Sequence, residues 1–326
     1  MSTPPPSPNA PLFILLNAGS GHAETDLQRS TIEDVLRRSG RMFELKVVEQ
    51  ADQLGDVAQQ MVERAKAVGG IVVAAGGDGT INTVARRALA GACPFGVLPQ
   101  GTFNYFGRTH DIPEDLTEAT EALLASTMQP VQVGQVNDRV FLVNASIGLY
   151  PTLLEERERD KQQFGRSRFV AFVSALKTIF AWTGKLRITL HINGVTEVLK
   201  TPTLFIGNNR LQMEQLGIEP MRVALDEGKL AAVALKPVGR LAMLGLILRG
   251  ALGTLGEAED LITFGFKSMT VKRPAFRGRK IKIATDGEVT YMATPLHFKV
   301  LEDQLLLLKR DPSMVQSSTE AYWARS

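Results

Sequence analysis

Three segments of the chain end an apolar run in glycine and small polar residues. The densest is Ile71-Val-Val-Ala-Ala-Gly-Gly-Asp-Gly-Thr80, followed by Ile81-Asn82. Glycines let a backbone approach a ligand closely and present its N–H groups, and a helix opening behind them adds partial positive charge. That combination suits a phosphate. Asp78 is the intruder, because a carboxylate beside a polyphosphate repels it unless Mg²⁺ or a proton lies between. A phosphate loop carrying an aspartate therefore implies metal-assisted phosphoryl transfer; the alternative is an Asp-Gly turn that holds no ligand. Asn17-Ala-Gly-Ser-Gly21 and Leu98-Pro-Gln-Gly-Thr-Phe-Asn104 repeat the pattern after other apolar runs. The chain has no Gly-Lys-Ser/Thr of a P-loop and no Gly-x-Gly-x-x-Gly, which argues against a Walker ATPase and an NAD-dependent dehydrogenase.

Two acidic segments lie far downstream. Asp286-Gly-Glu288 stands between strand-like runs and reads, taken alone, as a hairpin turn. Asp226-Glu227, within Val223-Ala-Leu-Asp-Glu-Gly-Lys-Leu230, reads as an acidic hairpin turn as well.

The elements that must position these groups follow from periodicity. Leu12–Leu16, Phe43–Val48, Ile71–Ala75 and Phe95–Leu98 are short apolar strands. Helical patterns over 26–39, 54–68 and 81–90 separate them, giving a doubly wound parallel α/β domain over 12–130. In such a sheet the three glycine-bearing turns fall at the C-terminal ends of strands, the edge where α/β sheets bind ligands. After Pro130 the rhythm changes. Runs at 131–136 and 140–143 flank Asn137-Asp138 as a hairpin, and further strands are predicted at 186–192, 195–206, 221–236, 268–273, 279–285 and 289–300. Helices are predicted at 166–182 and about 237–255. Residues 131–300 thus read as a mainly antiparallel β-sandwich domain, with 1–11 a disordered tail. A last strand at 304–308, within 301–326, is able to return to either domain.

The motifs together resemble the diacylglycerol kinase catalytic-domain family, which includes bacterial soluble lipid kinases and sphingosine kinases. The resemblance rests on Asn17–Gly21, Gly76–Asn82, Phe95–Asn104 and Asp286–Glu288, in the family's order from residue 12 to about 300. Gly-Gly-Asp-Gly-Thr alone is shared with NAD kinases. The resemblance implies an ATP- and Mg²⁺-dependent kinase acting on a lipid hydroxyl, diacylglycerol-like or sphingoid-like. It implies that Asn17, Ala18, Gly19, Ser20 and Gly21 contact the nucleotide and that Gly76, Gly77, Asp78, Gly79, Thr80, Ile81 and Asn82 line its triphosphate. Thr102 adds a hydroxyl contact, and Asp226 or Glu227 helps hold a structural Mg²⁺. Glu288, with Asp286 beside it, accepts the proton of the attacking hydroxyl, while Asp78 orients that hydroxyl or a metal-bound water. The sequence does not decide between Asp78 and Glu288 as the base. Tyr105 and Thr83 stand where the family usually carries acids, and Ala18 where it usually has proline. A soluble NAD-kinase-like enzyme, or a nucleotide- or lipid-binding regulator without turnover, are the competing readings.

Bulk properties fit this picture. The 326 residues are 44% hydrophobic and 22% charged, with a formal net charge of +3, too small to imply nucleic-acid binding. From Phe266 to Lys282 there are basic residues and no acid, expected to be a solvated strand edge or to face phosphates or anionic lipid. Cys93 is the single cysteine and cannot form an internal disulfide, which fits a reducing cytoplasm. The first residues lack the basic segment of a signal peptide. Leu241–Leu248, stopped by Arg249, is far short of the ~20 apolar residues of a membrane span. It is expected to be a core helix, a lid over an acyl chain or an interfacial helix of a cytoplasmic, peripherally membrane-associating protein.

Overall fold

The computed structural model describes residues 9–19, 22–164, 186–192, 194–274 and 280–310. The helix expected at 166–182 therefore lies outside the described residues, as do Ser20, Gly21, the tail 1–8 and part of the basic segment. The chain divides into two units, one formed by Met1–Gln132 with Glu302–Ser326 and the other by Val133–Leu301.

In the first unit, β1 (Leu12–Asn17), α1 (His22–Arg38), β2 (Phe43–Val48), α2 (Leu54–Ala67), β3 (Ile71–Gly76), α3 (Asp78–Gly91) and β4 (Phe95–Pro99) alternate. The strands form a parallel sheet in the order β2-β1-β3-β4. β3 and β4 are buried throughout, which is why they read as unbroken apolar runs: a parallel strand is covered on both faces. α2 buries Leu54, Val57, Ala58, Met61, Val62 and Ala65, one face at helical spacing. The chain leaves β1 to one side through β2 and crosses back to the other through β3, so the switch point lies between the C-terminal ends of β1 and β3. Helices α4 (Tyr105–Thr109) and α5 (Leu116–Leu124) follow. Asp115 caps α5 by accepting the Glu118 N–H at 2.9 Å, a start signal carried by the Asp-x-x-Glu spacing.

The second unit is a sandwich. β5 (Ser126–Val136), which begins in the first unit, makes the expected hairpin with β6 (Arg139–Phe141). β7 (Asn144–Gly148) then enters α6 (Leu149–Phe164). Next come β8 (Leu186–Ile192), β9 (Val195–Thr201) and β10 (Thr203–Gly207), the helices Arg210–Gln215 and Glu219–Asp226, β11 (Leu230–Leu235) and the helix Arg240–Ala251. The last strands are β12 (Leu261–Phe266), β13 (Ser268–Lys272), β14 (Lys280–Thr285), β15 (Glu288–Ala293) and β16 (Leu296–Arg310). One sheet runs β12-β11-β10-β7-β14-β15 with antiparallel neighbours. In the other, β13 joins β8 and the start of β16, and β9 flanks β8. Their inner faces meet in a core that includes Ile147, Ile188, Ile206, Phe266, Ile283 and Phe298. The end of β16 belongs to the first unit, where Leu307 lies parallel to Phe95 of β4.

Several sequence expectations need correction. The strand expected over 221–236 is a helix to Asp226 and a strand only from Leu230. Pro220 in the first turn and the buried pair Met221 and Ala224, three residues apart, favour the helix there. The run 195–206 breaks at Pro202 and 289–300 breaks at Pro295, since proline has no N–H for the ladder. β7, buried at every residue, gave no strand signal, because Asn-Ala-Ser-Ile-Gly has neither alternation nor β-branched enrichment. Among the described residues no helix is long and apolar enough to cross a membrane.

Ile283 is fully buried in the sandwich core. Ile283→Ala is expected to cost about 2–5 kcal/mol, read as a lower urea midpoint.

Candidate functional site

β3 delivers Gly76 and Gly77 directly into α3, whose first residue is Asp78. Gly77 is the N-cap and its carbonyl accepts the Ile81 N–H at 3.0 Å. The N–H groups of the first turn have no partner within the helix, and α3's dipole places partial positive charge there. A Cβ on Gly76 would stand 2.8 Å from the Thr80 side chain, so glycine is required, while a Cβ on Gly79 would meet open space.

The other two turns join this one. Asn17, the last residue of β1, donates from Nδ2 to Thr80 Oγ1 at 2.8 Å. Gln100 N–H donates to the Gly76 carbonyl at 2.9 Å. A Cβ on Gly101 would lie 2.9 Å from Gly77 Cα, so the two glycine turns touch backbone to backbone. Asn104, buried and left-handed at φ 49°, accepts the Gly101 N–H on Oδ1 at 2.7 Å and fixes the turn. The structure thus brings Asn17, Gly76, Gly77, Thr80 and the 100–104 turn to one edge of the first unit, with Thr102 exposed beside Gly101. Ile81 and Asn82 are buried in α3. Ala18 uses its N–H on the Val48 carbonyl at 2.9 Å, so that N–H is occupied; Gly19 follows it in the same turn.

Asp78 is only partly accessible. Its carboxyl is pushed above the usual carboxylate range by burial, against the opposing pull of the Phe106, Tyr105 and Asn104 N–H groups it faces. Its Oδ1 is buried without a hydrogen-bond partner among the described residues. Tyr105, in place of the usual acid, stacks nearly parallel on the half-exposed Phe103, and burial followed by the Asp78 charge raises its hydroxyl pKa. Thr83 turns its hydroxyl back to the Gly79 carbonyl at 2.9 Å, a bond within its own helix.

In the second unit, Asp286 (φ 46°) and Gly287 (φ 85°) form the two-residue turn joining β14 to β15. The Asp286 carboxylate accepts three successive backbone N–H groups, from Leu142 at 2.7 Å, Val143 at 2.8 Å and Asn144 at 2.9 Å. Its own N–H returns to the Asn144 carbonyl at 2.9 Å. A carboxylate so engaged anchors β7's approach. Glu288 is more exposed and is ion-paired with Arg139 of β6. Arg139 and Asn104 were not singled out in the sequence. Asn104 sat within a quoted motif, whereas nothing local marks Arg139.

Asp226 closes the helix Glu219–Asp226 and pairs with Arg222 at 3.1 Å and Arg210 at 3.4 Å, while Glu227 pairs with Lys229 at 2.6 Å. Among the described residues no cluster of three or more His, Cys, Asp or Glu is placed to hold a metal ion. The Asp226 and Glu227 carboxylates, which the resemblance assigns to a structural Mg²⁺, are here occupied by these cations. The first unit's edge combines a sterically required Gly76 with an open helix N-terminus, groups that suit a phosphate, and the Asp78 carboxylate beside them would need Mg²⁺ or a proton between itself and such a ligand.

Comparison with known proteins agrees with the motif resemblance. Residues 11–136 match the diacylglycerol kinase catalytic domain family. A "Probable lipid kinase YegS-like" protein of Cronobacter sakazakii is 34% identical over 166 residues, 49% of this chain and 53% of its own. One of the same name from an Enterobacter species is 32% identical over 46% of this chain and 49% of its own. The chain spans about half the length of the relatives it matches. The structure of a diacylglycerol kinase from Bacillus anthracis superposes with a TM-score of 0.67 at 18% identity, covering 94% of this chain and 98% of that one, and shows the same fold.

A carboxyl whose pKa is higher folded than unfolded stabilises the fold while protonated, and that contribution is lost as pH rises through the folded pKa. Asp78→Asn is therefore expected to melt above the parent chain at neutral pH. The difference should close as pH falls into the carboxylate range, checked by thermal unfolding across pH.

Proposed function

We propose that this chain, with a diacylglycerol kinase catalytic domain over residues 11–136, is a lipid kinase that transfers the terminal phosphoryl group of Mg-ATP to a lipid hydroxyl. The observation that carries this reading is the single polar edge made by the three strand-end turns, with Asn17 bonded to Thr80 and Gly77 packed on Gly101. Phosphoryl transfer asks a protein mainly for positioning and charge neutralisation. The glycine turns and the first N–H groups of α3 bind the phosphates, and Mg²⁺ arrives as part of the nucleotide substrate. Gly101 and Asn104 hold the 100–104 turn against Gly77, fixing where those N–H groups point.

The acceptor's hydroxyl must lose a proton as it attacks. Asp78 is the group best suited to take it: it stands at the start of α3 on the glycine edge, and burial makes it a stronger base than an exposed aspartate. Asp286 serves as the anchor of the 142–144 backbone. Glu288 is the competing base, with its charge balanced by Arg139.

The test is transfer from Mg-ATP with a panel of diacylglycerol, sphingoid base, phosphatidylglycerol and NAD. Phosphorylation of a lipid is expected; transfer to NAD alone overturns the lipid reading, and ATP binding without transfer to any acceptor makes the chain a regulator. Asp78→Asn is expected to lower kcat by about 10²–10⁴ while ATP still binds, with Glu288→Gln much less affected. The reverse order assigns the base to Glu288. Gly101→Ala, by pushing the 100–104 turn off Gly77, is expected to reduce kcat/KM by about 100-fold.

A further inference from the structure

β9 is the last strand of its sheet: β8 pairs with one side of it, and among the described residues no strand pairs with the other. It contains no proline, and its register with β8 is unbroken, so no bulge blunts it. Such an edge presents a row of unpaired N–H and C=O groups, which proteins usually guard with proline, bulges or a covering element. Val195 is 57% exposed and Val198 is 56% exposed. Three residues apart, they lie on opposite faces of the strand, so the edge is open on both.

The sheet's outer face beside this edge is basic. Ile188, Leu190, Leu199, Met269 and Val271 pack into or against the sandwich core. Alternation therefore turns Arg187, Thr189, Val198, Lys200 and Lys272 to the other side. Arg187 stands directly opposite Lys200, and Thr189 stands opposite Val198 on one side and Lys272 on the other. All three cations are exposed, and none is ion-paired among the described residues. Glu197, the one acid in β8, β9 and β13, is two residues from Leu199 and shares its face, away from them. Asp138 adjoins Asn137, which holds the His297 backbone on β16, across β13 from β8. Like charges directly opposite each other on neighbouring strands destabilise a sheet, so the Arg187–Lys200 pair is a cost that a bound anion would remove.

An extended acidic polypeptide answers both features, its backbone pairing with the open edge and its carboxylates meeting the cations. A second copy does not, because a twofold pairing of β9 with itself adds another Arg187 and Lys200 to the same face and no acid. Single-stranded nucleic acid lacks its stacking platform here, since β8, β9 and β13 contain no aromatic residue. We propose that β9 is a docking edge for an acidic segment of a protein partner, which joins the sheet as a strand and sets carboxylates against Lys200 and Arg187. Lys272 adds to the field they meet. The docking is independent of the kinase reading and is measured without any transfer.

The probe is a short fluorescent peptide of alternating glutamate and valine, titrated with the full chain and followed by anisotropy. As a strand it carries all its carboxylates on one face. Binding that weakens with salt is expected. A peptide of the same composition with its glutamates in one block, and the alternating peptide with N-methylated backbone, should each bind at least about tenfold more weakly. Lys200→Glu should also bind the alternating peptide at least about tenfold more weakly. That variant turns a like-charged cross-strand pair into an attractive one, so it should melt no lower than the parent chain. No binding of the alternating peptide, or equal binding of the block or N-methylated peptide, overturns strand addition. Unaltered binding in Lys200→Glu overturns the role of the cations, and a lower melting temperature in that variant overturns the like-charged pairing on which the proposal stands. A parent chain that is a dimer and is dissociated by the peptide reassigns the edge to a second copy. Co-sedimentation with phosphatidylglycerol vesicles that Lys200→Glu abolishes, with no peptide bound, reassigns the cations to lipid; either result overturns the proposal.

Discussion

The backbone contact between Gly77 and Gly101 constrains everything else at the proposed phosphate site. The 100–104 turn cannot carry a side chain there, because a Cβ on Gly101 would lie 2.9 Å from Gly77 Cα. That closeness sets the 100–104 turn over the start of α3 and brings the N–H groups of residues 104–106 against Asp78. The Asn17–Thr80 bond ties β1 to the same place. The parallel order β2-β1-β3-β4 puts all three turns at one end of the sheet, and the glycines then let them close on each other.

The acidic residues divide into different physical classes although the sequence presents them alike. Asp286 accepts three backbone N–H groups and works as a structural pin. Asp226 and Glu227 are neutralised by neighbouring arginines and a lysine, and Glu288 by Arg139. Asp78 alone among these combines burial with an unpaired oxygen.

Two departures from the family pattern also acquire a local meaning. Thr83 spends its hydroxyl on its own helix and leaves the phosphate edge unchanged. Tyr105 does face the Asp78 region, and through its stack on Phe103 replaces a charge by an aromatic wall.

The sequence by itself determined the parallel α/β unit, the sandwich that follows it, and the three glycine-bearing turns. These depend on short-range physics: apolar periodicity sets strand or helix, and glycine's freedom sets the turns. It failed at β7 and at residues 221–226, where small mixed residues carry no period or where a helical face of only two buried positions passes for a strand. Only the tertiary structure decided which turn touches which and which carboxylate is free. Those outcomes hang on partners far away in the chain, such as Asp286 with the N–H groups of residues 142–144 or Arg139 with Glu288. A carboxylate's chemistry is set by what packs against it, and no local pattern records that.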